Sequence, residues 1–392
     1  MSDEVKQRKI EHVTIALEND IAAPQQASWA DVRLVHQALP EVDLDEIDTT
    51  TDFLGARLRY PIFVSSLTGG HPDVATINER LATIAGEYGL AMGVGSQRAA
   101  LVTPELAQTY AVVRAAAPDA FLIANIGAPQ LIEQRRHPAF TLEDARRAVE
   151  MIGARALAIH LNYLQEAAQP EGDRRARGSL DALREIAAGV GVPVIAKETG
   201  AGIGYEQAHA LRAAGVSAID VGGAGGSSMA AMESVRAESR GDGRTARIGQ
   251  LFRGWGIATP IAVVETELGA PGLPIISTGG VRSGLDAARA LALGATLIGM
   301  GFPFLKAASE SLDAVREFLE QFLAELRVAM QLTGASTVAA MRQRPVVVTG
   351  MTREWLAARG FEDHLHALAR RGMPENNQAS PADVTSGRNQ RT

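Results

Sequence analysis

The chain has 392 residues, with 38 Lys and Arg against 45 Asp and Glu, so its net charge is −7. It contains no cysteine, which excludes a disulfide scaffold, a thiolate zinc site and a cysteine nucleophile. The acidic balance argues against nucleic-acid binding, and a charged N-terminus without any run of about 18 apolar residues predicts neither a secretory signal nor a membrane span. We therefore expect a cytoplasmic protein that binds neither nucleic acid nor membranes.

Short apolar runs alternate with segments of helical periodicity along most of the chain. This alternation predicts an α/β fold, and eight runs favour a (β/α)₈ TIM barrel over an open doubly wound sheet, which usually has fewer strands. The predicted helices include Ala75–Tyr88, Leu142–Gly153, Leu180–Ala188, Tyr205–Ala214 and Gly284–Leu293. The predicted strands are Ile62–Ser66, Leu90–Gly95, Phe121–Asn125, Ala156–His160, Val192–Lys197, Ser217–Val221, Leu273–Thr278 and Ala295–Met300.

The segments outside the predicted barrel differ from it in pattern. We expect residues 1–60 to be an N-terminal extension that covers the barrel bottom or contributes to a substrate site, and residues 61–335 to form the barrel. Residues 336–374 read as a C-terminal helical extension and residues 375–392 as a disordered tail. Within the barrel, residues 222–256 read as a long, mobile loop with one helix inside, and residues 308–334 as an amphipathic helix.

Two glycine turns follow the last two predicted strands. They are Ser277-Thr278-Gly279-Gly280-Val281-Arg282 and Gly299-Met300-Gly301. Backbone N–H groups in such turns bind phosphate, and the loops after strands seven and eight are a frequent phosphate site of this fold. These two motifs favour phosphate binding over a purely structural role as tight turns. They do not distinguish a cofactor phosphate from a substrate phosphate.

Polar residues also close other predicted strands. Lys197 ends the fifth strand, where it would be a Schiff-base lysine, a fixed charge facing an electron-rich ring, or an ordinary surface lysine. Asn125 ends the third strand and Thr68 follows the first. Their amide and hydroxyl groups suit hydrogen bonding to a heterocycle, although Asn and Thr also cap helices.

The densest polar cluster is His160-Leu161-Asn162-Tyr163-Leu164-Gln165-Glu166. One carboxylate among neutral hydrogen-bonding groups suits Mg²⁺, which often takes one carboxylate together with substrate phosphate oxygens. The alternative is a core histidine followed by a helix-starting glutamate. Arg98 follows the second strand, and Arg8 and Lys9 lie near the N-terminus. Arginine forks match phosphate oxygens, whereas the N-terminal group also fits a solvated helix face.

Taken together, these motifs resemble those of the type 2, FMN-dependent isopentenyl-diphosphate isomerases over roughly residues 6–335. Arg8-Lys9-Ile10-Glu11-His12 and the His160–Glu166 cluster are the most particular to that family. The other matching segments are Ser66-Leu67-Thr68-Gly69-Gly70, Gly95-Ser96-Gln97-Arg98, Ala124-Asn125-Ile126, Lys197-Glu198-Thr199-Gly200, Asp220-Val221-Gly222-Gly223-Ala224-Gly225-Gly226, Gly254-Trp255-Gly256 and Ser277-Thr278-Gly279-Gly280-Val281-Arg282.

The resemblance implies a role for each matching residue. FMN would be held at its ring and ribityl chain by Ser66, Leu67, Thr68, Ser96, Asn125 and Lys197, and at its phosphate by Gly279, Gly280, Arg282, Gly299 and Met300. The substrate would be bound by Arg8, Lys9, Ser96, Arg98, His160, Asn162 and Gln165. Gln165 and His160 are the expected catalytic residues, and Glu166 would hold Mg²⁺.

The reaction implied by the resemblance interconverts isopentenyl diphosphate and dimethylallyl diphosphate by a 1,3-proton shift, with FMN active in its reduced form. NADPH would be the reductant, and the assembly a homotetramer or homooctamer. Other readings remain. A 2-hydroxy-acid oxidase needs a histidine base near the sixth strand, where this chain has Gly222–Gly226. A barrel-type nucleotide dehydrogenase needs a cysteine. A binding protein without catalysis and a flavin-free lyase that uses Lys197 are the remaining alternatives.

Overall fold

The computed structural model describes residues 11–24, 28–71 and 74–374. The predicted tail at 375–392 lies outside these residues, as do Arg8 and Lys9 of the expected substrate site.

The centre of the fold is a closed, parallel, eight-stranded barrel. All eight predicted strands are present, so the prediction of a TIM barrel is confirmed. Several strands begin about two residues later than predicted, as at Val194 and Ile275, because the preceding apolar residues belong to turns. The strands of the described residues are β1 (Val32–Leu34), β2 (Thr51–Phe53), β3 (Ala56–Leu58), β4 (Ile62–Val64), β5 (Ala91–Gly93), β6 (Phe121–Gly127), β7 (Ala156–Leu161), β8 (Val194–Glu198), β9 (Ala218–Asp220), β10 (Ile275–Thr278), β11 (Leu297–Met300) and β12 (Val346–Val348). In the barrel, neighbouring strands follow the order β10-β11-β4-β5-β6-β7-β8-β9.

Helices surround the barrel, and local signals set their ends. At the start of the helix Leu142–Met151, Thr141 and Asp144 exchange side-chain-to-backbone hydrogen bonds in a capping box. Gly89 ends the helix Ala75–Tyr88 in a left-handed conformation. The helices are α1 (residues 11–18), α2 (Ala75–Tyr88), α3 (Arg98–Val102), α4 (Gln108–Ala116), α5 (Leu142–Met151), α6 (Tyr163–Ala168), α7 (Ser179–Gly189), α8 (Tyr205–Ala213), α9 (Met229–Ser239), α10 (Gly243–Leu251), α11 (Thr259–Gly269), α12 (Gly284–Ala292), α13 (Phe302–Glu310), α14 (Leu312–Leu332), α15 (Val338–Met341), α16 (Gly350–Ala358) and α17 (Glu362–Ala369).

The N-terminal extension meets both ends of the barrel. The antiparallel hairpin β2–β3 places Phe53 and Leu58 in one buried cluster with Phe63, Phe121 and Ile195, which lie at or near the amino ends of barrel strands. This hairpin closes the barrel bottom. At the opposite end, residues 12–22 contribute to the wall of a cavity at the carboxyl ends of the barrel strands.

Two predicted segments differ in the structure. Residues 222–256 contain two helices, α9 and α10, rather than one helix in an open loop, because they pack against each other and bury residues such as Ala246 and Gly249. The predicted helix at 308–334 is divided between α13 and α14. Ser311 separates them in an extended conformation, and its side chain accepts a hydrogen bond from the Ala314 N–H, which caps α14.

The C-terminal extension contains helices α15 to α17 and also a strand that the sequence analysis did not predict. Strand β12 pairs antiparallel with β1, through Val32 with Val348 and Leu34 with Val346. The two extensions therefore hold each other outside the barrel. Among the described residues, no helix has the length and apolar character needed to cross a membrane.

Candidate functional site

The carboxyl ends of the barrel strands surround a cavity of about 440 Å³, a size typical of small-molecule and cofactor sites. Every predicted site residue within the described ranges lines it. These are Ser66, Leu67, Thr68, Ser96, Arg98, Asn125, His160, Asn162, Gln165, Glu166, Lys197, Gly279, Gly280, Arg282, Gly299 and Met300. Barrel closure thus brings together residues up to 234 positions apart, while their binding roles remain predictions.

Gly279, which follows β10, and Gly299, near the end of β11, have no room for side chains. A Cβ at Gly279 would lie 2.2 Å from the carbonyl oxygen of Gly223, and one at Gly299 would lie 1.8 Å from Thr278 Oγ1. Gly279 also has a φ of +124°, which side-chain-bearing residues rarely adopt. Both positions therefore require glycine, and both residues line the cavity, as a phosphate cradle requires.

Several hydroxyl groups at this end are buried without partners. Within the described residues, the side-chain oxygens of Ser65, Ser66, Ser277 and Thr278 are inaccessible to solvent and have no hydrogen-bond partner. Buried hydroxyls usually have partners, and Ser66 and Thr278 line the cavity, so a bound polar molecule is expected to supply partners for these two. The glycine positions and these two hydroxyls fit the phosphate and ribityl chain of FMN.

Lys197 is held by a buried ion pair. Its Nζ lies 2.9 Å from Asp220 Oδ2, with side-chain exposures of 8% and 0%, and also donates to the Glu198 carbonyl oxygen at 3.2 Å. A lysine restrained in this way is a fixed cation in the cavity wall. This geometry favours the fixed-charge interpretation over an exposed surface lysine.

Glu198, which the sequence analysis did not single out as a site residue, organises the loop after β8. Its Oε2 accepts hydrogen bonds from the backbone N–H groups of Thr199, Gly200, Ala201 and Gly202, at 2.5 to 3.0 Å. Burial raises the pKa of Glu198 to about 7, against the opposing effect of these four donors. The carboxylate fixes a loop that lines the cavity next to Lys197.

Asn125 and His160 form one hydrogen-bonded unit across neighbouring strands. The Asn125 amide nitrogen donates to the Val94 carbonyl oxygen at 3.0 Å, so its Oδ1 faces His160 Nδ1 at 2.8 Å. Since a carbonyl oxygen only accepts, His160 Nδ1 carries the proton. The imidazole is thereby oriented at the cavity wall.

Asn162 connects the next two site residues. Its Nδ2 lies 3.1 Å from Glu166 Oε1 and 3.3 Å from Gln165 Oε1, while Glu166 Oε2 accepts from the Asp173 N–H at 2.8 Å. Among the described residues, Asn162 Oδ1 is a buried oxygen with no hydrogen-bond partner.

These oxygens bear on the predicted metal site. No group of three or more acidic or histidine side chains that would hold a metal occurs among the described residues. The pair of Glu166 carboxylate and Asn162 amide oxygen nevertheless consists of the hard ligands that Mg²⁺ prefers, when substrate oxygens and water complete its shell. The residues present fit a shared rather than a dedicated metal site.

Glu233 is a site residue that the sequence analysis missed. Its Oε1 lies 2.9 Å from His12 Nε2, and it accepts from Gln165 Nε2 and Gln169 Nε2 at the same distance. Arg236 Nη1 donates to its Oε2 at 3.0 Å. Burial opposes the charge, but these partners outweigh it and lower the pKa of Glu233 to about 2. Its only local signal was an acidic residue directly after the apolar run 229–232.

Arg98 reaches the cavity while held by a second residue that sequence reasoning missed. Its Nη1 lies 2.8 Å from Asp173 Oδ2, and Asp173 also accepts from Gln130 Nε2 at 2.9 Å. Burial raises the pKa of Asp173, but the Arg98 charge and the hydrogen bonds prevail and leave it below its ordinary value. Asp173 lies in the loop after α6, where no sequence motif indicated a functional residue.

The fold and the site define a flavin-dependent barrel. The FMN-dependent dehydrogenase family model matches residues 123–348. Among solved structures, a mandelate oxidase variant covers 86% of this chain and 99% of its own, with a TM-score of 0.57 and 21% identity. A Pediococcus acidilactici lactate oxidase covers 88% and 93%, with a TM-score of 0.63 and 16% identity. These two likenesses concern the fold alone.

Closer relatives are isopentenyl-diphosphate delta-isomerases. The Methanosarcina barkeri protein is 46% identical over 94% of this chain and 99% of its own length. The Methanoregula boonei protein is 49% identical over 89% and 95%, and the Archaeoglobus fulgidus protein 48% identical over 90% and 99%. The chain therefore belongs to the FMN-dependent isopentenyl-diphosphate delta-isomerase family, as the sequence motifs predicted.

Proposed function

We propose that this protein interconverts isopentenyl diphosphate and dimethylallyl diphosphate by a 1,3-proton shift in the cytoplasm, with reduced FMN, Mg²⁺ on the diphosphate and NADPH as the reductant. The observation that carries the proposal is that, within the described part of the chain, the residues expected to hold a flavin and those expected to hold a diphosphate line the same cavity. A homotetramer or homooctamer is the proposed assembly.

The part of the cavity proposed to hold FMN must bind its phosphate and its ring and must balance the charge of the ring. Gly279, Gly280, Arg282, Gly299 and Met300 would surround the phosphate. Ser66, Leu67, Thr68, Ser96 and Asn125 would hold the ring and ribityl chain, with Lys197 as a cation beside the ring. When bound in its reduced form, FMN would supply an electron-rich ring that donates and accepts a proton.

The substrate end supplies charge and orientation. Arg98, His160 and Asn162 would bind the diphosphate, with Glu166 on Mg²⁺ and the N-terminal Arg8 and Lys9 completing the set. Remote binding of this kind positions the reacting carbons without acting on them directly.

Gln165 is the residue proposed to face the reacting carbons together with His160. Its amide is held at both ends, because Nε2 donates to Glu233 and Oε1 accepts from Asn162. The hydrocarbon part of the substrate would lie against this ordered amide, with water excluded by residues 12–22.

The direct test is turnover under anaerobic conditions. FMN-loaded protein is reduced with dithionite or NADPH, and isopentenyl diphosphate is added with Mg²⁺. We expect dimethylallyl diphosphate to form only when the flavin is reduced. Absence of conversion by protein that holds FMN tightly would refute the proposed reaction, and oxidation of a 2-hydroxy acid by the same sample would reassign it.

A further inference from the structure

Asp173 collects hydrogen bonds from several elements beside the cavity without lining it. Its side chain is 5% exposed and faces Arg98 of α3 and Gln130, which precedes α5. Both Arg98 and Gln130 line the cavity. The carboxylate therefore lies behind the cavity wall and touches residues that form it.

His137 adds a further donor to the same carboxylate. Its Nε2 lies 3.0 Å from each carboxylate oxygen of Asp173, and its Nδ1 lies 2.9 Å from the Pro138 carbonyl oxygen. His137 is therefore a third side chain, besides Arg98 and Gln130, that contacts the Asp173 carboxylate.

The backbone of Asp173 reaches the predicted metal ligand. Its N–H donates to Glu166 Oε2 at 2.8 Å. The preceding Gly172 packs so tightly that a Cβ there would lie 1.8 Å from the Glu166 carbonyl oxygen. Gln134 holds Arg175, two residues beyond Asp173, since its Oε1 accepts from the Arg175 N–H and its Nε2 donates to the Arg175 carbonyl oxygen, both at 3.0 Å. The loop is held from both sides of Asp173.

We propose that Asp173 is the positioning residue for the diphosphate end of the cavity: its carboxylate directs the Arg98 guanidinium, and its N–H directs the Glu166 carboxylate. The inference rests on the proposed function for the nature of the ligand. Arg98 has a planar fork of five N–H donors, and holding it by Nη1 leaves the rest of a rigid fork to meet phosphate oxygens. Without Asp173 the long side chain would have to be ordered by the ligand itself.

The test variant is Asp173→Asn, which keeps the side-chain shape and removes the charge. Ordering a long side chain on binding lowers the affinity roughly two- to tenfold. A weaker interaction between residue 173 and Arg98 should lower it further. We expect the KM for isopentenyl diphosphate to rise about tenfold while kcat changes less than about threefold. The affinity of the FMN-loaded protein for inorganic pyrophosphate with Mg²⁺, measured by calorimetry, should fall by a similar factor, with FMN affinity unchanged.

A double-mutant comparison separates the positioning of Arg98 by Asp173 from a general loss of structure around the cavity. If Asp173 acts through Arg98, Asp173→Asn combined with Arg98→Met should bind pyrophosphate no more weakly than Arg98→Met alone. The control is Asp181→Asn, which removes a carboxylate that is 75% exposed and paired with Arg184 on α7; it should leave KM, kcat and pyrophosphate binding unchanged.

Three outcomes would overturn the inference. They are unchanged pyrophosphate affinity in Asp173→Asn, additive losses in the double variant, or an equal fall in kcat, FMN affinity and thermal stability, which would mark a purely structural residue. If Asp173→Asn does not fold, His137→Gln and Gln130→Leu should each raise KM through the same carboxylate, and unchanged KM in both would also refute it. Failure of the wild-type protein to isomerise isopentenyl diphosphate would refute the proposed function instead, and pyrophosphate binding would still test Asp173.

Discussion

Glu233 is a buried carboxylate, 1% exposed, whose charge is held by side chains from α6, α9 and the N-terminal segment. The substitution Glu233→Gln removes the charge but keeps the size. It leaves Arg236, whose side chain is 4% exposed, with only Glu11 and Glu171 as acidic partners among the described residues. We expect lower stability and a looser Gln165 amide, because Glu233 accepts from Gln165 Nε2.

The lowered pKa of Glu233 gives the expected loss in the free energy of unfolding. A fall from the ordinary 4.5 to about 2 corresponds to about 3 kcal/mol, at about 1.4 kcal/mol for each tenfold change in the proton equilibrium. Since the pKa is lower in the folded protein than in the unfolded chain, this stabilisation is present above about pH 4.5 and is lost as the pH falls toward about 2.

Urea unfolding at pH 7 and pH 3.5 measures both parts of this prediction. The variant should be less stable by about 3 kcal/mol at pH 7 and by only about 2 kcal/mol at pH 3.5. Glu362→Gln is the matched control, because its pair with Arg353 is half exposed and such pairs contribute about 0–1 kcal/mol.

Two results would contradict the reasoning about Glu233. A loss below about 1 kcal/mol at pH 7 would place Glu233 in the range of a surface ion pair. A loss that grew toward acid pH would reverse the sign required by a lowered carboxylate pKa.

Three further changes test other parts of the site. Glu166→Gln should weaken Mg²⁺-dependent turnover while FMN remains bound; unchanged turnover across a Mg²⁺ titration would remove the metal role. Lys197→Met should leave the Asp220 carboxylate buried without its cation and cost about 3–5 kcal/mol in urea unfolding; a loss within about 1 kcal/mol would contradict the pairing. Gly299→Ala should weaken FMN binding at least tenfold in a fluorescence titration, because the new methyl group would displace Thr278; unchanged affinity would exclude this turn as part of the phosphate cradle.

Much of the barrel could be predicted because its signals are local. Apolar runs of strand length alternate with helical periodicity, and residues such as Gly89 mark helix ends. Parallel closure then places all strand carboxyl ends on one face, so the residues at those ends were expected to meet. The division of 308–334 at Ser311 was missed because the apolar periodicity continues through the break, and only packing reveals that a new helix begins there.

The sequence by itself determined the alternation of strands and helices in the barrel, the glycine turns and many of the residues around the cavity. Only the tertiary structure decided which charges meet, as in the pairing of Glu233 with His12 or of Asp173 with Arg98. It also decided that β1 pairs with β12, about 300 residues apart. The reason is physical: periodicity and turn chemistry act between near neighbours in the chain, whereas a buried ion pair depends on chain closure that brings distant residues within about 3 Å.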